Sequence, residues 1–456
     1  MRSLMWFRSD LRVHDNEALY RATENQETVA LFIVSHKEWE AHHDAKLKLA
    51  FMWRNLQALQ KALESKNIPL KIVEVDSWAE IPTRILQLME NYQISSLYFN
   101  HEVGVNEVAR DRAVYRQLKK HLLDIYLCHD KTLVKLGSIL NGENRPYKVF
   151  TAFKRRLIEV LQYQRFENHF EIPTQNKLDI TSDDLSVNPY EAFDSLAYQA
   201  GEDSAFEVFQ NFLKEDIFRY HARRDFPAIE GTSRLSPYLA LGVISVKTLL
   251  QEALMINEGD FHAGDEGVLT WMNELYWREF YYHIMWNFPQ VSRNRAFQEK
   301  TENIQWREND ADFEAWKNGE TGIPIVDAFM RQLKATGWMH NRGRMITAMF
   351  LTKNLLIDWR KGEAWFMQNL IDGDFAANNG GWQWSASTGT DAVPYFRIFN
   401  PVTQSERFDP NGDFIRQWCP ELAHLDNRQI HKVQKHAIVD LKSSRLRAIE
   451  TFKSLS

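Results

Sequence analysis

The chain has 456 residues, 44% of them hydrophobic and 25% charged, and carries a formal net charge of -6. That composition is globular, no run is long enough to cross a bilayer, and a DNA partner would need a local basic face. Its two cysteines, Cys128 and Cys419, lie far apart without metal-ligand spacing, which fits a reducing cytoplasm and argues against structural zinc and a disulfide framework.

The opening residues, "MRSLMWFRSDLRVHDNEAL", are too charged for a signal peptide. Short apolar runs then alternate with amphipathic segments: "LMWF" (4–7), "VALFIV" (29–34), "LKIVEV" (70–75), "SLYF" (96–99) and "LDIYLC" (123–128). Between the second and third, Met52, Leu56, Leu59 and Leu63 recur at helical spacing until Pro69 closes the segment. This pattern predicts a doubly wound α/β domain over 1–130, with a parallel five-stranded sheet and a ligand crevice at the strand carboxyl ends. No GxGxxG follows the first run, so an ordinary dinucleotide site is not indicated.

Residues 131–203 read as an interdomain linker, polar and irregular from about 170, and 204–456 as an all-α domain. Within the latter, "EGTSRLSPYLALG" (230–242) offers Ser236 as an N-cap and Pro237 as the first helical residue. Free amides beside Thr232, Ser233 and Arg234 suit an anion, although the stretch alone is better read as a plain capped helix. No GxxxxGK occurs, so mononucleotide phosphoryl transfer has no support.

"LTWMNELYWREFYYHIMW" (269–286) sets Glu274, Trp277, Arg278 and Tyr281 on one face of a helix that is aromatic nearly all round. A buried Glu and Arg there are either a structural pair or part of a site, and the residues alone support both readings equally. "GWMHNRGRMITAMFLTKNLL" (337–356) puts Asn341, Arg342, Arg344 and Met345 at the start of an apolar helix. Arg344 is a natural partner for Asp372 or Asp374. Trp306, Trp359 and Trp382 lie far apart in sequence and, taken singly, read as packing. The last stretch, "DGDFAANNGGWQWSASTGTD" (372–391), pairs two indoles with Asn-Asn-Gly-Gly. It predicts backbone open to close approach by a planar ligand rather than a core helix.

These blocks resemble the photolyase/cryptochrome family: "GTSRLSPYLALG", "NELYWREFYYHI", "TGWMHNRGRM", "LLIDWRKGE" and "DGDFAANNGGWQWSASTGTDAVPYFRIFNP", with "WFRSDLRVHDNEAL" and "RPYKVFTAFK" towards the amino terminus. The similarity runs from end to end and is closest to class I photolyases acting on cyclobutane pyrimidine dimers. Ala152 departs from it, since the family usually has proline there; only a local effect is expected.

The resemblance implies FAD, bent so that its adenine lies near the flavin ring. The matching positions are Tyr220, Thr232, Ser233, Arg234, Leu235, Ser236, Trp271, Glu274 and Arg278, then Asn341, Arg344, Asp372, Gly373, Asp374 and Asn378. It places Asn378 opposite the flavin N5 and makes Trp382, Trp359 and Trp306 an electron-hopping chain. Trp277 and Trp384 would wall the lesion cavity, Glu274 would hydrogen-bond the pyrimidine edge, and Asn341, Arg342 and Met345 would line the same space. The implied reaction is light-driven: excited reduced FAD passes an electron to a flipped-out dimer and recovers it after ring splitting. Relatives acting on the (6-4) photoproduct carry histidines at the positions of Asn341 and Met345, which argues against that substrate. Arg223, Arg224, Arg342, Lys334 and Arg397 are candidates for holding damaged double-stranded DNA, with Lys334 and Arg224 better read as ordinary solvated charges.

"WEAHHD" (39–44) and "VGVNEVARD" (103–111) match folate-type antenna sites, with His42, Asn106 and Glu107 as contacts and 5,10-methenyltetrahydrofolate as the expected pigment; a deazaflavin or a flavin could occupy the same crevice. The remaining expectations are no metal, no membrane, no obligate protein partner, a monomer and a cytoplasmic location. A cryptochrome-type photoreceptor is disfavoured because the chain stops at Ser456, soon after the last family block. A single-strand-preferring relative is disfavoured by the Trp277/Trp384 pair, and a dark flavin oxidoreductase by the lack of a nicotinamide site.

Overall fold

The computed structural model describes residues 2–24, 26–163, 171–391 and 397–455. Five strands, β1 (Arg2–Phe7), β2 (Glu27–Val34), β3 (Leu70–Glu74), β4 (Ile94–Asn100) and β5 (Asp124–Cys128), form one sheet in the order β3-β2-β1-β4-β5. All pairings are parallel, and Leu4 aligns with Val29 on one side and Leu97 on the other. Side chains alternate across the pleat. Leu4, Trp6, Val29 and Leu31 therefore face the helices Ile81–Asn91 and Val105–Lys120. Met5, Phe7, Ala30 and Phe32 face the opposite way, against α1 (Glu17–Thr23) and the long helix Lys46–Glu64. Burial on both faces is why these strands read as continuous apolar runs rather than alternating ones.

Between β2 and that long helix lies α2 (His36–Ala41); the long helix is α3, and the two on the other face are α4 and α5. The strand order reverses between β1 and β4, so the crevice of such a sheet opens beyond Phe7 and Asn100.

Residues 131–203 contain α6 (Phe150–Tyr163), with Ala152 in its first turn, where a proline would also fit. From 171 to 188 the segment carries neither helix nor strand and runs along the open edge of β3. Asp183 N–H donates to Leu70 O at 2.9 Å, and Asp183 Oδ2 accepts from Ile72 N–H at 2.7 Å. Gln175 bonds Thr28 and Asn67, and Asp194 takes a forked pair of bonds from Arg54 at 2.5 and 3.0 Å. An otherwise unpaired sheet edge is thereby covered.

Beyond 203 the described elements are helical. Five of them carry the site: α7 (Ser236–Leu241), α8 (Glu266–Asn287), α9 (Asn341–Met349), α10 (Trp359–Asn369) and α11 (Phe375–Ala386). Helix α8 is capped by Asp265, which accepts from Val268 N–H, and its Trp271, Tyr276 and Phe280 join the α/β domain's core without a break. A separate core gathers Trp316, Trp359, Trp382 and Phe366.

Candidate functional site

The stretch expected to be open backbone is α11, a helix whose first turn is capped by Asp374 accepting from Ala377 N–H at 3.0 Å. The asparagines and glycines are tolerated because each answers a neighbour. Asn379 is buried, donating to Glu363 Oε1 and accepting from Gln383 Nε2, both at 3.0 Å. At Gly380 a Cβ would stand 2.1 Å from the Tyr281 ring, so this glycine admits α8 rather than a ligand. Gly381, by contrast, has nothing within 4 Å of that position. Trp277 on α8 and Trp384 on α11 each lie one turn from this crossing.

Arg344 donates to Asp372 Oδ2 at 2.7 Å and to Met339 O at 2.9 Å, so of its two expected partners Asp372 is the one it meets. Asp374 instead accepts from the Tyr282 hydroxyl at 2.5 Å. Burial alone would raise its pKa, but Lys131, Arg278 and Tyr282 together hold it below the usual carboxylate value. The second oxygen of Asp372, Oδ1, is buried without a donor. Asn378 donates from Nδ2 to Glu363 O at 3.1 Å, which turns its carbonyl oxygen away from that anchor. Above them stands Tyr198, a linker residue that sequence reading missed because no local pattern marks it. Its ring packs near Phe51 and Tyr238, and its phenol faces Arg234, Asp372 and Arg344; burial pushes it well above its ordinary pKa.

The loop before α7 departs from expectation by one residue. Leu235 takes the N-cap position without a side-chain bond, so Ser236 is the first helical residue and Pro237 the second. The hydroxyls of Thr232, Ser233 and Ser236 make no bond to other described residues, while Arg234 pairs with Glu230 and lies 3.6 Å over the Trp338 ring. Trp271 is buried against Phe209 and Phe212. Arg278 does not pair with Glu274: it donates to Lys131 O at 2.8 Å and covers the Tyr282 ring.

Glu274 bonds Arg224 at 2.5 Å, and Arg224 also sits over Tyr220. Arg224, read on sequence as an ordinary solvated charge, is instead paired with Glu274. Burial raises the pKa of Glu274 and Arg224 opposes that shift. Next to them Arg342 donates to Asp225 at 2.6 Å, crosses Phe408, and lies 3.8 Å from the Met345 sulfur; Asn341 Nδ2 is 4.0 Å from the same sulfur. Trp277 stacks face to face on Phe150 at 3.6 Å. Arg223 pairs with Asp216 at 3.2 Å, and Arg397 is exposed. Lys334 lies elsewhere, on a depression beside α3 where it donates to Asn318. Trp382 (2% exposed) and Trp359 (0%) are buried in one core while Trp306 packs at its rim, a gradient from interior to surface. A Cβ on Gly362 of α10 would stand 2.2 Å from the Trp382 ring, so α10 touches the indole directly. Residues 392–396 of the last sequence block lie outside the described residues.

A crevice of about 610 Å³ opens at the strand carboxyl ends, between the sheet and the helical domain. His42 Nε2 accepts from Asn106 Nδ2 at 3.1 Å, and its Nδ1 donates to Glu38 O, which fixes the tautomer. The His42 ring stacks on Trp78, and Glu107 lines the same space with a pKa raised by burial and by nearby Glu102.

Residues 3–173 match the family model described as DNA photolyase, and residues 271–454 the one described as FAD binding domain of DNA photolyase. The chain is 41% identical to the deoxyribodipyrimidine photo-lyase of Escherichia coli (strain K12), over 99% of this chain and 98% of that one. The chain belongs to the DNA photolyase family. Among solved structures, a class III photolyase from Agrobacterium tumefaciens superposes with a TM-score of 0.85 at 32% identity, covering 100% of this chain and 97% of that one. A cryptochrome from Synechocystis sp. PCC6803 gives 0.85 at 26% identity, with 99% of each chain covered. The photolyase family's FAD fits the residues present. Among the described residues Asp372 Oδ1 is a buried acceptor lacking a donor, Arg344 is held beside it, and the hydroxyls of Thr232, Ser233 and Ser236 gather with Arg234 around the start of α7.

Proposed function

We propose that this protein repairs cyclobutane pyrimidine dimers in double-stranded DNA, driven by light, as a deoxyribodipyrimidine photo-lyase that binds FAD. The observation that carries this reading is the pairing of two sites built on α8, α9 and the turn before α11. One is a rigid Arg344–Asp372 edge with a vacant acceptor; the other is a carboxylate, Glu274, held by Arg224 beside Trp277. Reduced FAD, when bound, supplies an electron to the dimer on absorbing light and takes it back after the ring splits.

The residues do the rest. Arg344, Asp372 and Asn378 hold the heterocycle edge, while Thr232, Ser233, Arg234 and Ser236 receive the phosphates, supported by Tyr220, Trp271, Arg278, Asn341 and Asp374. Trp277 and Trp384 grip the extruded dimer by their faces. A damaged step stacks poorly, so extrusion costs less there, and photolyases are a familiar instance of base flipping. Glu274 offers a hydrogen bond to the pyrimidine edge where negative charge spreads. Arg223, Arg342 and Arg397 steer the DNA backbone, and Trp306, Trp359 and Trp382 convey electrons inward from the surface. His42, Asn106 and Glu107 hold an antenna, read as 5,10-methenyltetrahydrofolate. We also assign 1–130, 131–203 and 204–456 as antenna domain, linker and catalytic domain, in a monomeric, cytoplasmic protein. Among the described residues no helix is long and apolar enough to cross a membrane.

The test incubates chemically reduced protein with a defined thymine-dimer oligonucleotide under blue light and in darkness. Repair in light alone supports the reading; equal repair in both, or none in either, overturns it.

A further inference from the structure

The interdomain crevice is lined by cations that differ in how completely they are satisfied. Arg8 bonds Asp111 and Asn100 O, and Arg110 bonds Glu102 and Asp111. Among the described residues the side chain of Lys131, in the loop after β5, makes one hydrogen bond, from Nζ to Ser9 Oγ at 2.6 Å, and no ion pair within 4 Å. An ammonium carries three N–H donors, so two are left over. The carboxylates that face it are taken. Glu102 accepts from Ser9 and Arg110, and Asp374 accepts from Tyr282 and Ala377 N–H. The other charges acting on it are the guanidinium of Arg278 and, more weakly, the ammonium of Lys48, and the Tyr282 ring lies 5.9 Å away. Burial depresses the Lys131 pKa, against the pull of Glu102 and Asp374.

Lys131 is half-buried, and a partly desolvated ammonium with unfilled donors gains from an acceptor that replaces its remaining water. The crevice lining also includes the apolar and aromatic side chains Phe32, Trp39, Met52 and Trp78, which suit a conjugated ring system. We propose that Lys131 fixes the inner end of the crevice ligand, donating to a carbonyl, carboxylate or phosphate oxygen on a planar conjugated molecule lodged between the two domains. This rests on reading the crevice as the antenna site and adds its discriminating residue. His42 and Asn106 would hold the outer part, and Lys131 would select for an acceptor-rich inner edge. Because Lys131 also stands between Ser9 of the sheet domain and Asp374 of the helical domain, the ligand would bridge both.

The experiment uses the full-length, FAD-loaded protein freed of pigment and equilibrium dialysis with three probes: 5,10-methenyltetrahydrofolate, FMN and riboflavin. Lys131→Met should weaken whichever probe binds by roughly tenfold or more, the worth of one charge-assisted hydrogen bond, while Lys131→Arg stays within about threefold. Loss confined to FMN makes phosphate the partner of Nζ; equal loss for FMN and riboflavin makes it a ring carbonyl. Lys131→Gln serves if the methionine variant unfolds early, judged by thermal melting. Unchanged affinity in a folded neutral variant, with wild-type binding intact, overturns the role of Lys131. Binding of no probe by the wild type overturns the antenna reading itself, and the proposal with it.

Discussion

Glu274 and Glu363 show what a single side chain's surroundings decide. Burial raises the pKa of both carboxyls; Glu274 has a guanidinium within bonding distance, whereas among the described residues the Glu363 carboxylate is hydrogen-bonded by the Asn379 amide and feels Arg360 only at longer range. Glu274→Ala should lower repair per absorbed photon by roughly threefold to tenfold, about one hydrogen bond, while flavin content is unchanged. Equal yields in variant and wild type would remove Glu274 from the lesion site. For Glu363, burial lifts the pKa to about 7 from an ordinary 4.5. A folded-state pKa above the unfolded one means its stabilising contribution is complete below pH 4.5 and fades as pH climbs through 7. Glu363→Gln should therefore flatten the fall of melting temperature across that window, measured as a pH series of thermal unfolding. Trp382→Phe should slow photoreduction of the oxidised flavin yet spare repair by chemically reduced protein; transient absorption and the oligonucleotide assay separate the two. The pairing of Arg344 with an aspartate was expected from side-chain chemistry, though not which of Asp372 and Asp374 it meets. The Arg224–Glu274 pair could not be expected, because 50 residues separate partners that only the fold brings together.

At the level of elements, the strands of the sheet were legible because burial on both faces leaves an uninterrupted apolar run. Helix α11 was not legible. Glycine and asparagine are poor helix formers, by up to ~1 kcal/mol for glycine relative to alanine, and local propensity pointed to open backbone. Tertiary contact overrides it: Gly380 lets α8 approach, and Asn379 is consumed by Glu363 and Gln383. The same logic gives a test. Gly380→Ala improves helix propensity yet drives a methyl into the Tyr281 ring, so it should destabilise by about 1–3 kcal/mol, the usual penalty for overpacking. Thermal unfolding reads this directly, and a melting point at or above wild type would mean that Tyr281 yields freely. The start of α7 was misplaced by one residue, the ordinary uncertainty of a cap without a side-chain bond.

For the whole molecule, net negative charge and a DNA substrate are reconciled locally. Arg223 adjoins Arg224 in sequence and Arg342 bonds its neighbour Asp225, but each is already paired with a carboxylate, Asp216 and Asp225 respectively. Phosphate must compete with those partners, which tempers the attraction. Arg342→Ala should weaken binding to damaged duplex and reduce the slope of log affinity against log salt by about one, as for a single lost phosphate contact. An unchanged slope in fluorescence anisotropy titrations would place Arg342 off the DNA path. The arrangement of domains followed from the change of pattern along the chain, whereas the course of the connecting segment did not, since its polar residues carry no periodicity. That segment is fastened to the sheet domain through Gln175, Asp183 and Asp194, and then sets the Tyr198 phenol against Arg234 and Asp372 of the other half. Anyone splicing halves from two relatives would find that the seam cannot be placed anywhere between 171 and 203 at will. The graft must carry Arg54 together with Asp194, and Tyr198 together with Arg234, or the hybrid loses a clasp that neither half can replace.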